Sequence, residues 1–401
     1  MNRRTKDVLK RVYLGCGVDR AVGTLCRHGF RTDRRKVVFS SFWGRGFADN
    51  PKYVALELMK RGLDLDLVWL AANPDAIRRT LPPGIRVGAY KGWAGLREAA
   101  TAAVRVDNQL VNLHDAGFVK RPDQLYVQTW HGSLGIKRIG FDFADGTADH
   151  DRRYGNRVKD GAMVDALISN STFESAIYRE QWLGGGKILE YGHPRNDILV
   201  NGVVPEFAAE IRHRIGVAGD ERILLYAPTF RDDDPAFDYA FDYAAVLSAC
   251  EKKFGGTWRM VVRKHPRMSS AMLGVTPGSG VVDASSYPDM QELLAVTDAL
   301  VTDYSSCMFD FLLTGRPVFV FARDLEKYET TRGFYYPFSE TPFSVARDAR
   351  QLAEGVGAFD EESYRRDRAT FLAARGCVED GHASERVGDL IVEFLNRRWS
   401  E

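Results

Sequence analysis

Apolar residues in this chain fall in short runs closed by turn residues, with helical patterns between them. Val37-Val38-Phe39-Ser40-Ser41-Phe42 predicts a buried strand. Gly44, Gly46, Asn50 and Pro51 then turn the chain into a helix expected over Lys52–Arg61, and Gly62 stops it. Leu65 to Leu70 predicts the next strand, and further strands are expected at 102–106, 124–129, 166–169 and 187–191. Continuous apolar runs of this length, separated by helices, predict a parallel sheet covered on both faces.

A helical stretch at 201–220 precedes a second series, with strands expected at 222–227, 260–263, 280–283, 299–302 and 317–321. Helices are expected between them at 243–254, 289–295 and 305–313. Two successive α/β units predict two doubly wound, Rossmann-like domains facing a cleft. The expected division is a basic leader at 1–36, a first α/β domain at 37–203, a second at 204–378, and a helix at 379–401 returning to the first.

Composition narrows the class. With 401 residues, 45% hydrophobic and 27% charged, the chain has the balance of a globular protein rather than a disordered one. A net charge of +1 gives no global reason to expect nucleic acid. The leader differs: Arg3, Arg4, Lys6, Lys10, Arg11, Arg20, Arg27, Arg31, Arg34, Arg35 and Lys36 oppose only Asp7, Asp19 and Asp33. Leu9, Val12, Tyr13, Val18, Val22 and Leu25 interleave with them, as expected for a segment lying on an anionic membrane surface. Gly15, Gly17 and Gly23 weaken a helix there, so a solvated leader is the alternative. No signal-peptide core and no run of about 18 apolar residues is present. Cys16, Cys26, Cys250, Cys307 and Cys377 are scattered without a Cys-x-x-Cys pair, which fits reduced cytoplasmic thiols and no zinc site.

Four segments carry candidate chemistry. The strand at 299–302 runs into Thr302-Asp303-Tyr304-Ser305-Ser306 and then a helix, placing Ser305 and Ser306 at a helix start on the sheet's carboxyl edge. Such a start can hold a diphosphate; plain capping by Asp303 or a serine is the alternative. Trp130-His131-Gly132-Ser133 ends another strand, with Lys137 and Arg138 a turn later. His131 there has a ring suited to proton transfer near neutrality, although a histidine satisfied by a backbone carbonyl has the same pattern. Arg231 and the Lys264-His265 pair end two strands of the second unit. Cations gathered at one edge are costly without an anion, and pyrophosphate answers that need; solvated loop charges are the alternative for each residue alone. Asp232-Asp233-Asp234 is read as a solvated turn and Gly184-Gly185-Gly186 as a plain one.

These segments, taken in order with Asp49-Asn50-Pro51-Lys52-Tyr53, Ile168-Ser169-Asn170-Ser171, Gly192-His193-Pro194-Arg195-Asn196-Asp197, Gly315-Arg316-Pro317 and Arg332-Gly333-Phe334-Tyr335, resemble the CDP-glycerol glycerophosphotransferase family over about Phe39 to Pro337. The resemblance implies a GT-B fold and attack by an acceptor hydroxyl on the β-phosphorus of a CDP-alcohol, with CMP leaving. It further implies His131 as general base, and Arg231, Lys264, His265, Thr302, Asp303, Ser305 and Ser306 as the donor cradle. Trp130, Gly132, Ser133 and Lys137 fall on the acceptor side. The implied donor is CDP-glycerol or CDP-ribitol, and the implied acceptor a lipid-linked saccharide or polymer at the cytoplasmic membrane face. Relatives carry Thr-Pro-Leu-Lys after the His-Gly pair, where this chain has Ser133-Leu134-Gly135-Ile136-Lys137. A UDP-sugar glycosyltransferase or epimerase and an inactive scaffold are the competing expectations.

Overall fold

The structure, a computed structural model, describes residues 18–109, 120–142, 158, 160–181, 185–231, 234, 236–265, 267–275 and 280–399. The first sheet contains β1 (Asp33–Ser40), β2 (Asp66–Ala71), β3 (Ile85–Ala89), β4 (Ala102–Asp107), β5 (Leu125–Gln128), β6 (Ala166–Ser169) and β7 (Lys187–Glu190), ordered β3-β2-β1-β4-β5-β6-β7. The second contains β8 (Arg222–Ala227), β9 (Trp258–Val262), β10 (Val282–Asp283), β11 (Ala299–Thr302), β12 (Val318–Phe321) and β13 (Ser344–Ala346), ordered β10-β9-β8-β11-β12-β13. Every pairing is parallel. Strand order reverses between β1 and β4 and again between β8 and β11, and the carboxyl edge beside such a reversal is where open α/β sheets bind ligands.

The strands are apolar on both faces because helices cover both. Val37, Val38, Phe39, Leu224, Leu225, Leu300 and Val301 are all fully buried. At about 1.5–3 kcal/mol for each such side chain, the strand centres dominate the stability of each half.

Some boundaries differ from expectation. Strand β1 starts at Asp33, inside the expected leader, because its basic residues find acidic partners: Lys36 meets Glu98 at 3.0 Å and Arg35 meets Asp64 at 2.9 Å. Ahead of it a helix, Val18–His28, buries Cys26 against Leu96, Ala99 and Ala100. The rest of the leader lies outside the described residues, as do Asp232 and Asp233. The first long helix begins at Asp49, three residues early. Pro51 is tolerated in its first turn, where its missing N–H has no intrahelical partner to lose. The last helix, Ala383–Trp399, joins Val387, Ile391 and Leu395, four residues apart on one face, to Val54 and Leu58 of the first half.

Below the cleft the two halves are stitched together. Lys52 Nζ reaches Asp289 at 2.5 Å and also contacts Glu292, all three being buried. The segment after His131 lies antiparallel to the segment around Phe334: Tyr335 N donates to Ile136 O at 2.8 Å and Arg138 N to Gly333 O at 3.1 Å.

Candidate active site

His131 follows β5 at the carboxyl edge of the first sheet, half-buried. Its Nδ1 lies 2.8 Å from the carbonyl of Asn108. A carbonyl only accepts, so Nδ1 carries the hydrogen and Nε2 is left with a lone pair. Gln109 Nε2 stands 3.4 Å from that Nε2. Desolvation pushes the imidazole down to about 4, against a smaller upward pull from the Asn108 carbonyl and from Asp49. The ring is therefore neutral near pH 7 and able to take a proton.

The surroundings are strained. Phe42, Trp43, Asp49, Trp130 and Leu134 have positive φ without being glycine, and these five are all such residues among those described. Each costs roughly 1–2 kcal/mol, and all belong to the rim of the first sheet that carries His131. Strain kept at one rim marks a site whose geometry matters more than its stability. Phe42 meets the His131 ring in a T-shaped contact with centroids 5.6 Å apart, and the Trp130 ring centroid lies 4.2 Å from that of His131. Gly132 does not need positive φ; a Cβ there would meet Trp130 Nε1 at 3.2 Å, so close packing is what requires glycine.

Not every expected residue lines the cleft. Ser133 is 1% exposed and accepts from Asn170 Nδ2 at 3.0 Å, so it faces the protein interior rather than an acceptor. Trp130 packs into the cluster of Tyr126, Leu167 and Tyr178 and serves as a buttress. Lys137 lies where the first half meets the second. Its backbone pairs with Phe334, which sets its side chain in the electrostatic field of Arg332, Asp303, Arg231 and Cys307.

Across the cleft, β9, β8 and β11 are neighbours, so the segments after them share one edge. Arg231 comes to that edge but is committed there. Its Nε and Nη2 bind Asp324 at 2.7 and 2.9 Å, and its Nη1 binds Asp303 at 2.8 Å and the Thr229 carbonyl at 2.6 Å. Asp303 also accepts from Thr229 N through both oxygens. Thr302 donates to Ala227 O at 2.7 Å and is fully buried. These three groups brace the loops rather than face solvent. Lys264 is partly exposed and meets Asp283 at 3.2 Å; His265 is exposed and stacks on Phe230 at 5.6 Å. Ser305 and Ser306 are half-buried ahead of the short helix Cys307–Leu312. Ser306 makes no side-chain cap, and the Ser305 hydroxyl accepts from Cys307 N only at a long 3.4 Å, so capping does not account for the pair.

Two residues with no role expected from the sequence, Arg195 and Asn50, hold the site together. Arg195, fully buried, donates to Gly132 O at 2.7 Å and to Asp310 at 3.0 and 3.2 Å, and stands 3.5 Å from Asp49. Asn50, fully buried, donates to the carbonyls of Thr129 and Trp130 at 3.2 and 3.0 Å and accepts from Arg195 N. These motifs hold the His131 loop against the opposite half. The only available signal was the burial-averse arginine inside an otherwise conventional turn motif. Arg263, after β9, is a further miss: its buried Nη1 has no hydrogen-bond partner.

Two Rossmann-ordered sheets with their reversal points turned to one cleft, an imidazole on one rim and cations on the other, define a two-domain α/β protein of the GT-B class. The family model for CDP-glycerol:poly(glycerophosphate) glycerophosphotransferase matches residues 24–393, and the chain belongs to that family. It is 32% identical over 372 residues to a teichoic acid poly(glycerol phosphate) polymerase of Staphylococcus epidermidis, covering 89% of this chain but 50% of that protein. It thus spans about half the length of that relative. A teichoic acid glycerol-phosphate transferase of Staphylococcus aureus is 29% identical, with 88% of this chain and 92% of that protein covered. Among solved structures, the wall teichoic acid polymerase TagF, obtained after a CDPG soak, superposes with a TM-score of 0.83 at 29% identity, covering 99% of this chain and 98% of the other. S. aureus MnaA with UDP, at 0.51 and 13% identity, shares the fold alone.

Proposed function

We propose that this protein transfers glycerol phosphate from CDP-glycerol to a hydroxyl of a lipid-linked or growing teichoic-acid- or capsule-like polymer, releasing CMP. The observation that carries this reading is the neutral His131 with an unprotonated Nε2, met only by a long contact from Gln109, held on a strained rim opposite the serines and cations of the second sheet. In the proposed step His131 Nε2 takes the acceptor's hydroxyl proton as the oxygen attacks the β-phosphorus. The bond from that phosphorus to the bridging oxygen breaks, and its electron pair leaves with CMP. Ser305, Ser306, Lys264 and His265 hold the donor's phosphates. Arg231, Thr302 and Asp303 keep the loops in place for them. Phosphoryl transfer relies chiefly on positioning and on stabilising charge, which suits this inventory.

A lipid-linked acceptor sets the protein peripherally on the cytoplasmic face of the membrane, where basic residues ahead of β1 supply charge for anionic lipid while Arg35 and Lys36 stay paired within the fold. The described residues contain no helix long and apolar enough to span a bilayer.

The test is incubation with CDP-glycerol, CDP-ribitol or UDP-sugars and a lipid-linked acceptor, with released nucleotide measured. CMP from CDP-glycerol is expected. Release from CDP-ribitol alone would reassign the donor. UDP release would transfer the protein to sugar chemistry, and release from none would refute the reading.

A further inference from the structure

The loop that carries His131 does not finish on its own half. Its continuation pairs with Gly333–Tyr335 of the second half, through Arg138 N to Gly333 O, Tyr335 N to Ile136 O, and the Lys137–Phe334 bridge between them. The Lys137 side chain is half-buried, yet its ammonium has no hydrogen-bond or ion-pair partner among the described residues. Charged and titratable groups act on it from both halves: His131 from its own, and from the donor half Arg332 of the helix Leu325–Arg332, Arg231 of the loop after β8, and Asp303 and Cys307 flanking the serine turn. Asp303, the one carboxylate of the set, is already bound by Arg231 and by Thr229 N. Arg263, whose Nη1 lacks a partner, is subject to the same Cys307. Arg231 is matched by Asp303 and Asp324, so the ammonium of Lys137 is the charge there that no described carboxylate binds. Such an arrangement is stable when an anion comes to it.

We propose that Lys137 is a catalytic residue of the donor side: its ammonium, supplied by the half that holds the base, binds the donor's diphosphate and stabilises charge on the departing CMP oxygen. The proposal rests on the transferase reading. In the step, the hydroxyl proton goes to His131, the acceptor oxygen bonds to the β-phosphorus, and the electron pair of the broken P–O bond goes to CMP. Lys137 hydrogen-bonds that oxygen without giving up its proton. One short segment thereby carries both the base and the leaving-group cation, spaced by the main chain that links them. Burial and the neighbouring arginines lower the Lys137 ammonium to about 8, so it is charged at neutral pH and discharges just above it.

The experiment is kcat/KM for CDP-glycerol between about pH 6 and 10, which reports ionisations of the free enzyme. Wild type, Lys137→Arg and Lys137→Met are compared. Wild type should lose activity above about pH 8. Lys137→Arg should keep part of the neutral-pH rate and lose that alkaline limb, because a guanidinium stays protonated throughout the range. Lys137→Met should lose roughly 10²–10³-fold at pH 7. An alkaline limb unchanged in the arginine variant would overturn the proposal even if the methionine variant does not fold. A methionine variant within about threefold of wild type would do the same. If wild type releases no CMP, the transferase reading fails and this proposal falls with it.

Discussion

Replacing Arg195 by methionine tests the seam directly. Methionine keeps much of the volume and removes the charge. In the native protein the guanidinium is wholly buried and neutralises Asp310, itself 3% exposed, while satisfying the carbonyl of Gly132. Breaking one partner out of a buried pair costs about 3–5 kcal/mol, because the other charge is stranded. The orphaned carbonyl adds about 1–3 kcal/mol if nothing replaces the donor. The two do not simply add, since Gln291 still donates to Asp310 at 3.0 Å and gives the stranded carboxylate some relief. A loss of about 3–5 kcal/mol is therefore expected, read from the midpoint of urea unfolding followed by tryptophan fluorescence. Adding Asp310→Leu to Arg195→Met removes the stranded charge and should recover about 1–3 kcal/mol. The single variant should also lose on the order of 10² in CMP release, because the Gly132 carbonyl sits next to the base and a misplacement of about 1 Å has that effect. A single variant destabilised by less than about 1 kcal/mol, or a double variant no more stable than the single, would refute the reasoning.

Further outcomes follow from the same geometry. His131→Gln should reduce CMP release by about 10²–10⁴ while leaving donor affinity, measured by CDP-glycerol titration calorimetry, within a fewfold. Because burial holds His131 at about 4, the acidic limb of kcat/KM should lie well below the ordinary histidine range near 6.5, and a limb at 6.5 would contradict the assignment. Burial is the main cause that raises the Glu379 carboxyl from its ordinary value near 4.5 to about 7. Its contribution to stability is full below about 4.5 and is lost as pH rises through about 7. Glu379→Gln should therefore gain stability relative to wild type between pH 5 and pH 8, by about 1–3 kcal/mol in paired denaturation curves. Lys52→Met strands Asp289 and Glu292 at the interdomain contact and should cost about 3–5 kcal/mol in the same unfolding assay.

Long apolar runs such as Val37–Phe39 and Leu224–Tyr226 betray buried parallel strands because helices cover both faces, and these elements were legible from the chain. Strands β3 and β13 were not. Ile85-Arg-Val-Gly-Ala89 mixes a charge and a glycine, and Ser344–Ala346 is three residues at an edge; pairing, not local pattern, makes them strands. Within the site, the position of His131 after a strand was legible, since strand ends are where polar residues interrupt apolar runs. The bracing role of Arg231 was not, because its two carboxylate partners lie 72 and 93 residues away. The pairing of Lys137 with Phe334 was not legible for the same reason: its partner lies 197 residues further along the chain.

Main-chain bonds between the two halves on the far side of His131, with ion pairs at Lys52 and Arg195 beside them, mean that any gaping of the halves must break hydrogen bonds and strand buried charges at the same time.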